Sequence, residues 1–222
     1  MMKYDIIRSR RKTISINIDR YGNITVKAPY TATDEAVMAF VDKKRDWIDK
    51  HVGNISVKND ARQEHLSGVP DKLPLLGAMC TVVYIRPYGY NNSIFYLPES
   101  PTEQILPMIQ RIYRSIAKKI LIPRTKLLAD RLGITVADVR INSARTRWGS
   151  CSSKKVINLS WKLIVADEEL IDYVIVHELC HTKHMDHSKE FWQMVEQIIP
   201  DYERRRKALG DVSRILYEYG LE

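Results

Sequence analysis

Hydrophobic and polar residues alternate with a period of two between residues 12 and 28. Ile14, Ile16 and Ile18 fall on one face and Ser15, Asn17 and Asp19 on the other, and Ile24, Val26 and Ala28 repeat the pattern after Tyr21-Gly22-Asn23. Successive side chains of an extended chain point to opposite faces, so this stretch predicts a β-hairpin with one buried face, ended by Pro29. Thr31, followed three residues on by Asp34, predicts a capped helix start. The apolar positions of that helix are Val37, Phe40, Val41, Trp47 and Ile48, and they pack it on the hairpin. Residues 53–65, GNISVKNDARQEH, are polar and aperiodic and read as a connecting loop.

Extended character returns between Lys72 and Leu97, with strands expected at 81–85 and 93–97 around the turn-rich stretch from Pro87 to Asn92. Ser100-Pro101-Thr102-Glu103 carries the signals of a helix start, with proline at the first helical position and Glu103 able to close a capping box. Ile105, Ile109, Ile112, Ile116 and Ile120 then share one helical face. Pro123 lacks an N–H and clashes with the preceding turn, so a kink or break is expected there, followed by a segment ending at Gly133. Residues 134–142 are β-rich. Residues 166–176, ADEELIDYVIV, read as a strongly apolar helix, and Phe191, Val195, Ile198 and Ile199 form an apolar stripe on the next one, which Pro200 ends. Asp201 is positioned to cap a basic helix through Leu209 with Gly210 as its stop, and Ser213 to start a short last helix to Tyr219.

The chemistry concentrates just beyond the apolar helix. Four of the six histidines fall between residues 177 and 187, in the run His177-Glu178-Leu179-Cys180-His181 followed by His184 and His187. Positions i and i+4 of a helix share a face, so His177 and His181 can present imidazole nitrogens to one ion. Glu178 stands beside the first, where it can accept a proton from a water that the ion acidifies. An intact helix would separate the Cα atoms of His177 and His184 by roughly 10 Å, too far to share an ion held by bonds of about 2 Å. His187 is better placed if the helix ends near His184 and the chain turns back over the ion, and Asp186 or His187 can start the helix that follows. Three histidines then leave a fourth coordination position for water, the open arrangement of a catalytic zinc.

Further residues carry a resemblance. They are Arg147-Trp-Gly-Ser-Cys-Ser152, Ile157-Asn-Leu-Ser-Trp161, Tyr173 through His181, His187-Ser-Lys-Glu-Phe-Trp192, Arg10-Arg-Lys-Thr-Ile-Ser15 and Val26-Lys-Ala-Pro29. On these the sequence resembles the YgjP-like metallopeptidase domain family, and its active-site run resembles those of the WLM and SprT-like zincins. The resemblance implies His177, His181 and His187 as ligands of one Zn2+ ion, Glu178 as the catalytic acid/base, and a peptide or protein substrate. It also implies a small sheet beside the active-site helix, with Val156–Ser160 as the edge strand lining the cleft. The metzincins too carry a histidine six residues after the second, but with a glycine at the turn. His184 stands there instead, so the metzincin fold is not expected. The expected fold is α+β, with an N-terminal antiparallel β-rich region and packed helix over 1–99. Residues 100–222 then form a zincin-like helical domain with a small sheet and an HExxH helix.

Composition narrows the picture further. Three cysteines without CxxC spacing do not build a disulfide framework, and no apolar run has signal-peptide or transmembrane length, which points to the cytoplasm. The net charge of +8 makes anionic partners physically sensible, although no base-reading motif accompanies the charge. Arg145 and Arg147 are candidate substrate-binding groups, because a guanidinium fork suits a carboxylate, a phosphate or a developing oxyanion. Equally, Arg147 can pair with a core carboxylate while Trp148 fills space under the helix. Three function classes follow: a metallopeptidase, a metal-dependent nucleoside triphosphate hydrolase with the two arginines as its phosphate clamp, and a nucleic-acid or partner-binding protein. The intact Glu178 argues against the last.

Overall fold

The computed structural model describes residues 3–19, 22–67, 70–91 and 93–222, and the side chains among them outside 58–67 and 102–103. The chain forms two compact units, residues 1–64 and 65–222. No helix among the described residues is long and apolar enough to cross a membrane.

The first unit contains β1 (Asp5–Ser9), β2 (Ser15–Ile18), β3 (Ile24–Pro29), α1 (Asp34–Lys43) and α2 (Arg45–Ser67), whose last residues pass into the second unit. The strand order is β1-β3-β2, and β2 and β3 form the expected antiparallel hairpin, with Ile16 opposite Val26. β1 adds to β3 in parallel. Val26, Ala28, Val37 and Ile48 are fully buried in this unit's core. Arg8 sets the entry to α1. Its guanidinium donates to the carbonyls of Pro29 and Ala32 and pairs with Asp34. With that segment held as a turn and Asp34 engaged, the helix starts at Asp34 rather than Thr31, capped by Thr33, whose hydroxyl accepts from the Ala36 N–H. The expected single helix breaks at Lys44, and Trp47 lies on the surface against His51 rather than in the core.

The loop expected over residues 53–65 is instead the continuation of α2. Val52 and Ile55 lie where a side chain at Gly22 would meet them, so the helix is anchored at its start. Beyond them the sequence is mostly polar and aperiodic. Lys, Ala, Arg, Gln and Glu are good helix formers without any apolar period, and a test that looks for a stripe passes over them.

The second unit begins with β4 (Lys72–Leu75), β5 (Ala78–Tyr84), β6 (Gly89–Asn91) and β7 (Ile94–Leu97), in the order β4-β5-β7-β6. The long helix α3 (Thr102–Arg131) follows, then β8 (Asp138–Asn142), β9 (Gly149–Cys151) and β10 (Val156–Ser160), a 3-10 turn at Trp161–Val165, and the helices α4 (Glu168–Cys180), α5 (Lys189–Ile198) and α6 (Tyr202–Glu218). The architecture is α+β, with three small sheets and six α-helices among the described residues.

The sheet of residues 72–97 shares one core with everything after it. Phe95 packs on Tyr113 of α3, which packs on Trp161, and the Tyr113 hydroxyl donates to the Pro74 carbonyl. The boundary expected between residues 99 and 100 therefore falls inside the second unit. The four-residue span between β7 and α3 makes a tight joint that brings the sheet and α3 into one core.

Three other expectations change. Pro123 does not end the helix, and α3 runs through both Pro107 and Pro123. The segment around Pro123 is anchored on both sides: Arg124 makes a two-pronged pair with Asp172 of α4 at 2.7 and 2.8 Å, and the buried Thr125 hydroxyl donates to the Leu121 carbonyl. Gly133 takes the left-handed conformation that closes the helix, as its position suggested. The helix start at 102 agrees with the Pro101 signal, while the capping role of Glu103 lies outside the described side chains.

β10 is not an edge strand. It is the centre of the order β8-β10-β9, parallel to β8 and antiparallel to β9. The return from β9 to β10 uses Ser152–Lys155, with Lys155 at φ 56 and no glycine or asparagine to announce the turn. Finally, α6 passes unbroken through Gly210 and Ser213, so no stop or second start forms there. Asp201 leaves its capping position without a side-chain bond to the helix N–H groups and pairs with Arg204 and Arg205.

The β4–β5 turn docks on the segment that leads into α4. Leu76 and Gly77 donate their N–H groups to the carbonyls of Ile164 and Val165, at 2.8 and 3.1 Å. Gly77 has φ +75, and a Cβ there would lie 2.8 Å from the Cβ of Asp167, the residue that caps α4 through the Leu170 N–H. Gly77→Ala thus introduces both an unfavourable backbone conformation and a clash with the cap. We expect a loss of about 1–3 kcal/mol in urea unfolding; an unchanged midpoint would contradict this docking.

Candidate active site

Helix α4 is buried almost all round, from Leu170 to Cys180, with Asp172 and His177 less enclosed. Its last turn carries His177, and His181 forms its C-cap. The chain then makes a tight turn, with Thr182, Lys183 and His184 donating N–H groups back to Leu179 and Cys180. It runs on to Ser188, whose hydroxyl accepts from the Phe191 N–H and starts α5. Helix α4 thus ends at its second histidine, earlier than His184, and α5 starts one or two residues later than the candidates Asp186 and His187.

This path brings His187 back over α4. One nitrogen from each of His177, His181 and His187 lies within 4.8 Å of the other two, the three-histidine grouping expected from the spacing. The Nε2 atoms of His177 and His187 are 3.1 Å apart. Two nitrogens bound tetrahedrally to one ion at about 2.05 Å sit roughly 3.3 Å apart, so the spacing suits a shared ion. His181 has its Nδ1 2.9 Å from the carbonyl of His184, which leaves its Nε2 for the cluster. His184 therefore contributes to the site through its backbone. Phe191, fully buried, packs against all three imidazoles, with centroids at 4.4 Å from His181 and 4.9 Å from both His177 and His187.

Glu178 projects to the neighbouring strand. It is 5% exposed, and a Cβ placed on Gly149 would lie 2.6 Å from its Cγ and 2.7 Å from its Oε1. Only a residue without a side chain lets β9 lie this close. Two buried polar atoms here have no hydrogen-bond partner among the described residues, Nδ1 of His177 and Oε2 of Glu178. Burial pushes the Glu178 carboxyl up to about 8, against the pull of the Arg147 guanidinium. Burial also lowers His177 to about 3, assisted by His181, His187 and Arg206, and it lowers His181. Neutral imidazoles are the form that binds a metal, and a nearby dication restores the carboxylate, so the donor set and its surroundings fit a divalent ion. Cys180 is fully buried, with its thiol raised to about 12 by burial, as expected of a packing residue.

A cleft of about 580 Å³ opens over these groups. Arg147 and the strand Gly149–Cys151 line it, with Tyr173, Met185, Arg206, Leu209, Gly210 and Ser213 among the other wall residues. Arg145 does not line this cleft. It borders a smaller neighbouring depression with Thr146, Ser160 and Lys162, so the structure does not bring the two arginines together over the histidines. Among the described residues Arg147 forms no ion pair with a core carboxylate, and Trp148 packs on the core. Gly149 and Tyr173 stood in the sequence only within the runs that carry the resemblance, and neither they nor Arg206 were expected as parts of the site. Tyr173, one turn before His177 on the same helical face, was accessible from spacing alone, with ring centroids 6.0 Å apart. Arg206 carried no local signal, because only the packing of α6 brings it to the cleft.

No curated protein sequence matches the chain. Among solved structures, the crystal structure of the metallopeptidase zymogen of Pyrococcus abyssi abylysin is similar at 26% identity, covering 40% of this chain and 91% of that one, with a TM-score of 0.38. A family model matches residues 12–211, which takes in the hairpin, the β9–β10 segment and the whole histidine cluster. The chain belongs to the YgjP-like metallopeptidase domain family.

Proposed function

We propose that the chain is a zinc-dependent peptidase in which His177, His181 and His187 hold one ion and Glu178 is the general base. The observation that carries this reading is the meeting of three imidazole nitrogens, within 4.8 Å of one another, beside a buried carboxylate at the floor of an open cleft. An all-imidazole set of three suits zinc, although cobalt, nickel or manganese can occupy the same ligands in vitro. Such an ion supplies Lewis acidity and draws the pKa of a water toward about 7.

The chain's own groups do the remaining work. Glu178 takes the proton from the attacking water and passes it to the leaving amine, and its burial keeps the carboxylate from being leveled by solvent. His184 holds His181 through its carbonyl, and Phe191 fixes the planes of the three rings. β9, at the end of its sheet, has one edge without a strand partner among the described residues. An extended peptide can pair with that edge by main-chain hydrogen bonds, which gives affinity with little demand on sequence. Gly149 suits this role because it leaves room for Glu178 directly behind the strand. Arg147, on the segment entering β9, stands close enough to Glu178 to act on its charge and is available to substrate oxygens. The three free cysteines are consistent with a reducing compartment, and the reading includes a cytoplasmic location.

Two experiments test the assignment. Glu178→Gln should retain one bound ion while kcat/KM for peptide cleavage falls by about 10²–10⁴; wild-type turnover in the metal-loaded variant would remove Glu178 from the role of base. His187→Ala should lose the ion, whereas His184→Ala should keep it, since the backbone carbonyl that holds His181 survives the substitution. Metal analysis of the two purified variants decides this, and equal retention would point to a different third ligand.

A further inference from the structure

The charge on the cleft walls is one-sided. Among the described residues, Glu178 is the only carboxylate that lines it, whereas Arg147 and Arg206 both do. The three consecutive arginines of α6 behave differently. Arg204 pairs with Asp201 and Glu169, and Arg205 pairs with Asp201. Arg206 makes no ion pair among the described residues and nor does Arg147, which comes from a different element of the wall.

Arg206 is nevertheless held. Its guanidinium carbon lies 5.1 Å from the centre of the Trp192 ring. The same ring stacks on Tyr202 at 5.2 Å and on His187 at 5.6 Å. The arginine is thus fixed relative to the imidazole cluster by an aromatic face, which leaves its N–H donors free for an anion. An arginine pre-positioned in this way loses little side-chain freedom when it binds.

On the peptidase reading given above, we infer that Arg206, together with Arg147, selects substrates that carry a carboxylate near the scissile bond. The carboxylate is either an acidic side chain or the free C-terminus of the peptide. A guanidinium fork binds either one through paired, charge-assisted hydrogen bonds. An amide of the same shape offers only one acceptor and no charge, and a basic side chain at that place meets two like charges. Apolar wall residues such as Met185 and Leu209 accommodate the rest of the side chain without adding a charge preference.

The test reads binding without turnover, in the zinc-loaded Glu178→Gln protein. Three short fluorescent peptides differ only in their carboxylates: a central Glu with an amidated C-terminus, a central Gln with a free C-terminus, and a central Gln with an amidated C-terminus. At least one of the first two should bind ~10-fold or more tightly than the third, and which one does so names the source of the carboxylate. Adding Arg206→Met should reduce the difference to less than ~2-fold with bound zinc unchanged, and Arg206→Lys should keep part of it. Equal binding of the three peptides overturns the inference. So does a preference that survives Arg206→Met, or a loss of zinc in that variant, which would make Arg206 a support for His187 instead. Wild-type protein incubated with the same peptides gives a separate answer on hydrolysis. Absence of new peptide termini there contradicts the peptidase reading and leaves the binding comparison standing.

Discussion

A helix buried on nearly every side can display chemistry only where it ends, and the second unit is arranged around that condition in α4. Its apolar residues Leu170, Ile171, Val174, Ile175, Val176 and Leu179 are covered in one common core with residues of α3, β10, α5 and α6. Helices α3 and α6 are pinned to α4, and the β4–β5 turn to its entry, by specific contacts. Arg124 of α3 reaches Asp172, Arg204 and Arg205 of α6 reach Glu169, and the β4–β5 turn lies on the Asp167 cap. The polar groups that emerge near the C-terminal end are His177, Glu178 and His181. That end of a helix also carries its partial negative charge, which favours a cation there.

Burial makes the same groups chemically useful. The desolvation that lowers His177 keeps its nitrogen a free ligand, and the desolvation that raises Glu178 leaves a carboxyl whose charge depends on a nearby cation. Burial favours the neutral form of each isolated group, and a dication held by the imidazoles would keep them neutral while restoring the carboxylate. Gly149 completes the arrangement by letting backbone, rather than a side chain, close the space against Glu178. Arg147 and Arg206 remain exposed at the cleft walls.

What was legible beforehand is what depends on local spacing. Alternation exposed the hairpin, the interval between His177 and His181 exposed the histidine pair on one helical face, and the apolar stripe of Phe191 and Val195 exposed the return helix that brings His187 back. The misreadings share a different cause. The polar half of α2 has helix-forming residues but no stripe, Pro123 sits in a helix held by Arg124 and Thr125, and Gly210 faces open space in α6, where a glycine is tolerated. β10 became central because Ser152–Lys155 turns the chain without the usual turn residues, which puts β9 at the edge instead. Arg206 and Gly149 join the site from distant parts of the chain, so no window of sequence contains the reason for either.

On the proposed function, one ion sits among His177, His181 and His187, with the Glu178 carboxylate beside its open coordination position. Diffraction from zinc-soaked crystals, with data on both sides of the zinc absorption edge, tests this most directly. A single strong anomalous peak is expected about 2.0–2.1 Å from one nitrogen of each histidine, with a carboxylate oxygen of Glu178 within hydrogen-bonding reach of the fourth ligand. A principal peak elsewhere on the chain, or one that lacks His187 from its ligands, would contradict it.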